Sequence, residues 1–279
     1  VTGEIPPAGG LPRRRRRQSE DEVAERMLTT AMGMVTATGL TVSLDHIGFE
    51  DVIREAGVAR SAVYRHWPYK DLFFSDLLKE LAKGAGPAMT QGEPSAYRAL
   101  VRERLDRLAD PGERLALVAE LVRVGAAAEL LAFRDSPDWR TYIALQATFL
   151  SLPESELRDE VRAALTRSES ELTERLAGAY EAFAGLVGCR LKPALGIGYA
   201  DVARLTSAAM RGMVIMAPTS PALTTETIAT DPFGLGTAEW SAPGLAIAGI
   251  VMGFVEADPD VVFDDARTAA LRALLDQDG

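Results

Sequence analysis

The chain of 279 residues is predicted to be all-α, on three observations. Apolar residues recur at three- and four-residue spacing along most of its length, the period of a helix with one buried face. No stretch alternates apolar and polar residues convincingly, as a half-buried strand would. Glycine and proline punctuate the periodic segments: Gly57 and Pro68 end helices, Pro111 opens one, and Pro137 and Pro153 stand between others. With 47% apolar and 25% charged residues there is material for a sizeable core, and the length suggests about two domains of roughly 150 residues.

The stretch from Phe49 to Phe73, FEDVIREAGVARSAVYRHWPYKDLF, organises the rest. Phe49, Val52, Ile53 and Ala56 make one apolar stripe on a first short helix. Gly57 ends it, because a turn with positive φ costs glycine nothing. Arg60 to Trp67 forms a second short helix with Val63 turned inward. Pro68 closes it, since the residue before a proline avoids helical angles. A third helix from Asp71 carries Leu72, Phe73, Leu77, Leu78 and Leu81 toward a core. Helix, glycine turn, helix is the geometry that lays a recognition helix into the DNA major groove.

The segment AGVARSAVYRHWPYKDLF resembles the signature of TetR-type transcriptional repressors. The shared features are alanine-glycine-valine at the turn, a late tyrosine in the recognition helix, an aromatic before the bend, then lysine and a leucine-containing helix. The match covers about residues 22–83. Two departures stand out: 39–52 is a few residues longer than the family's spacing, and Ile53 stands where the family has a small alanine. The resemblance implies a dimeric repressor with a larger helical domain that forms a ligand pocket between helices and a dimer interface from its last helices.

The elements follow in order. Residues 1–19 contain Pro6, Pro7, Gly9, Gly10 and Pro12, then the unbroken run Arg13, Arg14, Arg15, Arg16 and Arg17. This is either a solvated tail or a basic arm that reaches DNA ahead of the first helix. Ser19 with Glu22 forms a capping box for a helix over 19–38, with Val23, Met27, Leu28, Ala31 and Met34/Val35 inward. Gly39 stops it, and Ser43 or Asp45 is placed to cap the next. Residues 20–85 make the DNA-binding domain, and the Gly- and Pro-rich 84–94 marks the boundary to a second domain over 86–279. There, helices are expected around 100–108, 111–133, 139–149, 154–183, 199–217, 246–256 and 259–276. Residues 218–243, rich in Thr, Pro, Gly and Ala, form a long connection of about 25 residues.

On the recognition helix, Arg60, Ser61, Ala62 and Arg65 are the candidates to face base edges. Arginine reads guanine O6 and N7 through two parallel hydrogen bonds, a discrimination on the order of 5- to 150-fold, and Ala62 could meet a thymine methyl. Tyr64, His66 and Lys70 match the family's phosphate contacts, which position the helix without reading sequence. Lys70 adds to the positive potential of a helix N-terminus. For the ligand pocket, the candidates are Arg123, Arg134, Tyr142, Gln146 and Arg211 as polar groups, with Trp139, Met213 and Met216 as apolar lining. An arginine among them could pair an acidic ligand.

Charge is divided unevenly. Residues 1–83 carry 12 Lys and Arg against 12 Asp and Glu, and residues 84–279 carry 18 against 28, which accounts for the net −10. The acidic second part is repelled by phosphate and is expected to face away from it. The only histidines are His46 and His66 and the only cysteine is Cys189. This excludes an intramolecular disulfide and leaves the larger part without a histidine triad or a histidine-bound metal. No phosphate-binding loop, secretory signal or run of about 18 apolar residues is present. The expectation is a cytoplasmic, ligand-responsive regulator without cofactor or metal, which binds double-stranded DNA as a homodimer, outside any membrane, and responds to an unknown small molecule. Two alternatives remain: a DNA-binding dimer without effector, and a helical enzyme or carrier with a vestigial N-terminal domain.

Overall fold

The computed structural model describes residues 19–38, 47–83 and 94–276. The arginine run 13–17, the cap candidates Ser43 and Asp45, His46 and the boundary 84–93 lie outside them. The first helix, α1, spans Glu20–Thr38. Its capping box forms as the sequence requires: Ser19 N–H donates to Glu22 Oε2 over 3.0 Å, and Glu22 N–H to Ser19 Oγ over 3.1 Å. Then come α2 (Phe49–Ala56), α3 (Arg60–His66) and α4 (Lys70–Lys83). Gly57, at φ 62°, makes the left-handed turn that separates α2 from α3. Arg26 of α1 secures that turn through a 2.5 Å hydrogen bond to the Ala56 carbonyl.

Phe73 is fully buried at the centre of these helices. Its ring lies 5.0 Å from Phe49 and 5.1 Å from Trp67, separations at which aromatic edges and faces attract. Ile53 is also buried, so the larger side chain is packed inside. Leu72, expected to point inward, is 48% exposed. Because α4 starts at Lys70, its inner face runs through Phe73, Leu77, Leu78 and Leu81 and leaves Leu72 one position off.

The remaining helices are α5 (Pro94–Arg104), α6 (Pro111–Asp135), α7 (Pro137–Ser151), α8 (Glu156–Leu186), α9 (Tyr199–Met216), α10 (Ala222–Thr225), α11 (Ala242–Phe254) and α12 (Asp265–Asp276). Proline opens α6 and α7, where its missing N–H is harmless. Asp110 and Ser136 cap them through Gly112 N–H and Trp139 N–H. One continuous core runs from Val23, Met27 and Phe73 in the first four helices to Phe133, Trp139, Leu145, Val161, Met210 and Ile247. The helix-turn-helix unit therefore rests directly on α7 and α8. Lys79 of α4 reinforces this contact by pairing with Glu160 of α8 at 3.0 Å.

The all-α expectation needs a correction. The architecture is mostly helical, but it includes two small antiparallel ribbons. The strand β1 (Cys189–Leu191) pairs with β4 (Val255–Ala257), Cys189 opposite Ala257. The pair β2 (Thr227–Thr230) and β3 (Ala238–Ser241) folds part of the 218–243 connection into a hairpin. Three- and four-residue strands are too short for alternation to show, and β2 is largely exposed, so no apolar period marks it. Asp231 holds the hairpin turn by accepting from Leu235 and Gly236 N–H. Trp240 fastens the hairpin, buried beside Ala119 of α6 and Ala248 of α11.

Arg114 ties the second part together from inside. It is only 3% exposed. It donates to the carbonyls of Leu108 at 2.7 Å, Asp258 at 3.2 Å and Gly188 at 3.4 Å, and its guanidinium lies 4.9 Å from the Phe263 ring centre. Gly188, at φ 67°, has no room for a side chain: a Cβ there would stand 2.7 Å from Phe263.

Candidate nucleic-acid interface

The second helix of the turn, α3, divides its residues by face. Val63 and the following Trp67 are buried, Ala62 and His66 are half-buried, and Arg60, Ser61, Tyr64, Arg65 and Lys70 are exposed. Trp67 anchors the helix, its indole N–H donating to Asp76 at 2.9 Å. His66 lies edge-on to Trp67, ring centres 4.4 Å apart. Ala62 packs partly against the core, which leaves less of its methyl for a base than the sequence suggests.

Carboxylates hold the two arginines of α3. Arg60 Nε donates to Glu50 Oε2 over 2.9 Å, and the Tyr64 hydroxyl donates to Glu50 Oε1 over 2.7 Å. Those hydrogen bonds, from Tyr64 first and then Arg60, lower the Glu50 pKa. The same bond to Glu50 raises the Tyr64 pKa, because the donated proton is the one it would lose. Arg65 Nε pairs with Glu20 at 2.5 Å. These groups are solvent-exposed, and exposed ion pairs are weak enough to exchange partners. Lys70 is the first residue of α4, beside the unpaired backbone N–H groups of a helix start.

Of the pocket candidates, Trp139, Tyr142, Gln146 and Arg211 come together around Glu169, whereas Arg123 and Arg134 make their contacts elsewhere. Arg211 is locked by two parallel bonds to Glu169, 2.7 and 2.8 Å, above the rings of Trp139 and Tyr142. Arg123 is chelated by Glu120 at 2.6 and 2.8 Å and donates to the Glu239 carbonyl. Arg134 is half-buried and paired with Asp135. Tyr142 is buried and accepts from Gln146 at 2.8 Å. Gln146 lines a broad open groove of 580 Å³ along α7, α8 and α9 with Arg162, Glu169 and Arg204. Met213 is half-buried against the core and Met216 is exposed. None of these arginines offers a free charge to an acidic ligand.

Trp139 alone of the candidates lines a partly open hollow of 30 Å³ among α6, α7, α8, α9 and α11. That is room for about one water molecule. Phe133, Leu172, Leu176, Tyr180, Met210 and Ile247 form its apolar wall, and Glu129, Thr206 and Ser207 are its other polar members. Burial pushes the Glu129 carboxyl up to about 7. The sequence did carry a signal for it. Glu129 falls in GAAAELLAF, on the face shared by Ala126 and Phe133, and a lone carboxylate on an apolar face is costly unless something pairs it.

Cys189 is buried, and the loss of solvation raises its thiol to about 11, so it is not a reactive thiolate at neutral pH. Among the described residues no helix is long and apolar enough to cross a membrane, and no three metal-binding side chains cluster. No family model matches the chain, and no curated protein matches it.

Proposed function

We propose that the chain is a ligand-responsive, DNA-binding transcriptional regulator of the kind its helix-turn-helix segment resembles, acting without catalysis or cofactor. The observation that carries this reading is the split of α3. Val63 and Trp67 lock the helix to the core while Arg60, Tyr64 and Arg65 stand on the open side, with Lys70 at the start of the next helix. Arginines at a protruding helix suit guanine edges, and the tyrosine and lysine suit phosphates.

Charge supports an additional role for the arginine run. Between residues 20 and 83 there are 7 Lys and Arg against 11 Asp and Glu. The positive excess that attracts a duplex therefore has to come from Arg13–Arg17, a basic arm ahead of α1. Homodimer formation is supported by α9, whose exposed face includes Leu205, Ile215 and Met216, and by α11, which contains no charged residue. Two copies related by a two-fold axis would place their α3 helices about one DNA turn, roughly 34–36 Å, apart. A ligand in the helical part would lower affinity by favouring a different separation, and only by as much as it binds the two states differently.

The packing supplies a physical route for such coupling. Phe133, Trp139, Met210 and Ile247 line the cavity and belong to the same continuous core as α1–α4. The small cavity volume favours one second reading, a DNA-binding dimer with no effector. Selection of duplexes from a random pool, followed by competition gel shift, tests the proposal. A palindromic site held at least tenfold above random DNA supports it, and no enrichment refutes it.

A further inference from the structure

Among the described residues, Glu129 is a carboxylate that lines a hollow with no cation beside it. Arg123, Arg134 and Arg211 are each claimed by Glu120, Asp135 and Glu169. Glu129 has neither an ion-pair nor a hydrogen-bond partner among the described residues. Two titratable groups face it, Tyr97 from α5 and Tyr180 from α8, and neither is a cation. Tyr180 is engaged elsewhere, its hydroxyl 3.0 Å from Thr206 Oγ1, which also reaches the Ala203 carbonyl at 3.1 Å. The cavity has a second unmatched group: the indole N–H of Trp139 is buried without a partner, in a residue 5% exposed.

Glu129 is half-buried and poorly solvated without an ion pair, and the Trp139 N–H beside it is a buried donor without an acceptor, which is costly. What would pair the carboxylate follows from its chemistry. A carboxylate between aromatic walls (Phe133, Trp139 and Tyr180) fits an organic ammonium, which pairs with the carboxylate and is attracted by the ring faces. An anion would meet a like charge in a poorly solvated place. We propose that the Glu129 cavity is the effector site of this protein and takes organic ammonium ligands with an aromatic or apolar body. This rests on the reading of the helical part as a ligand-responsive module. The hollow as it stands holds only a compact head group, and the body of the ligand is accommodated by displacement of Met210 and Leu176 in the wall, methionine being the most adaptable of apolar side chains.

The test is calorimetric titration of the full chain at pH 8 with benzylammonium, benzyl alcohol and benzoate, three probes of similar size and different charge. Benzylammonium is expected to bind at least tenfold more tightly than benzyl alcohol, and benzoate more weakly than either. Glu129→Gln is expected to abolish the preference for the cation without weakening the alcohol, and lowering the pH to 5.5 is expected to do the same to the unaltered protein. No cation preference, or one that survives Glu129→Gln, overturns the site. Adding the same probes to a gel shift separates the two proposals. A Glu129-dependent cation preference in a chain that holds no duplex keeps the site and removes the DNA reading. DNA binding without that preference does the reverse.

Discussion

Glu50 and Arg60 lie ten residues apart on successive short helices, and the carboxylate holds the guanidinium over 2.9 Å while its other oxygen accepts from Tyr64. The candidate base-reading arginine and a candidate phosphate contact therefore share one anion in the DNA-free protein. On the proposed function, a duplex would compete with Glu50 for Arg60 and Tyr64.

Removing Glu50 is expected to have two opposite effects. Glu50→Ala takes a negative charge from the DNA-facing surface, so affinity for random duplex should rise several-fold. It also frees Arg60 from its fixed direction, so the ratio of specific to random affinity should fall. Competition gel shifts with both duplexes measure each effect. An unchanged ratio would show that Glu50 does not orient Arg60.

The roles of Arg60 and Lys70 are separable. Arg60→Ala should relax preference at one base position, with random-sequence affinity nearly kept. Lys70→Ala should weaken all duplexes alike and reduce the slope of log affinity against log salt by about 1. Equal effects from both variants would contradict the division between reading and positioning.

Glu129 makes stability depend on pH in a defined direction. Its carboxyl pKa is raised from the ordinary 4.5 to about 7, so the folded state holds the proton more tightly than the unfolded chain. The resulting stabilisation is complete below about pH 4.5 and is lost as pH rises through about 7. The full shift corresponds to at most about 3 kcal/mol. Glu129→Gln should therefore match the parent near pH 4.5 and exceed it at pH 8, as read by urea unfolding. A gap that is the same at both pH values would mean that Glu129 is solvated.

Arg114 supports the fold rather than any site. Arg114→Met keeps the apolar stem but withdraws the donor from three carbonyls. The expected loss is about 3 kcal/mol or more, a fall of roughly 6–12 °C in the thermal midpoint for a chain of this size. A change below 1 °C would show that water replaces the guanidinium.

The parts legible in the sequence are those with local causes. The Ser19–Glu22 box, the left-handed Gly57, proline at the start of α6 and the inward Val63 each follow from a few adjacent residues, and the structure shows them. The ribbons were not legible, because Cys189 and Ala257 pair across a long separation and their strands are too short to carry a period. The pairing of polar groups in the helical part was not legible for a related reason. Arg211 and Glu169 are 42 residues apart, so nothing local shows that the arginine is already neutralised. Glu129 stood out only as a charge on an apolar face, and the sequence gives no distance to a partner.

The most direct measurement is footprinting of the full chain on a selected duplex at moderate ionic strength. The account expects two protected half-sites related by a two-fold axis, with centres about 10–10.5 base pairs apart or a multiple of that, lost in the Arg60→Ala variant. Uniform protection that does not distinguish the selected duplex from random sequence, or none at all, would contradict the assignment of α3 as a recognition helix.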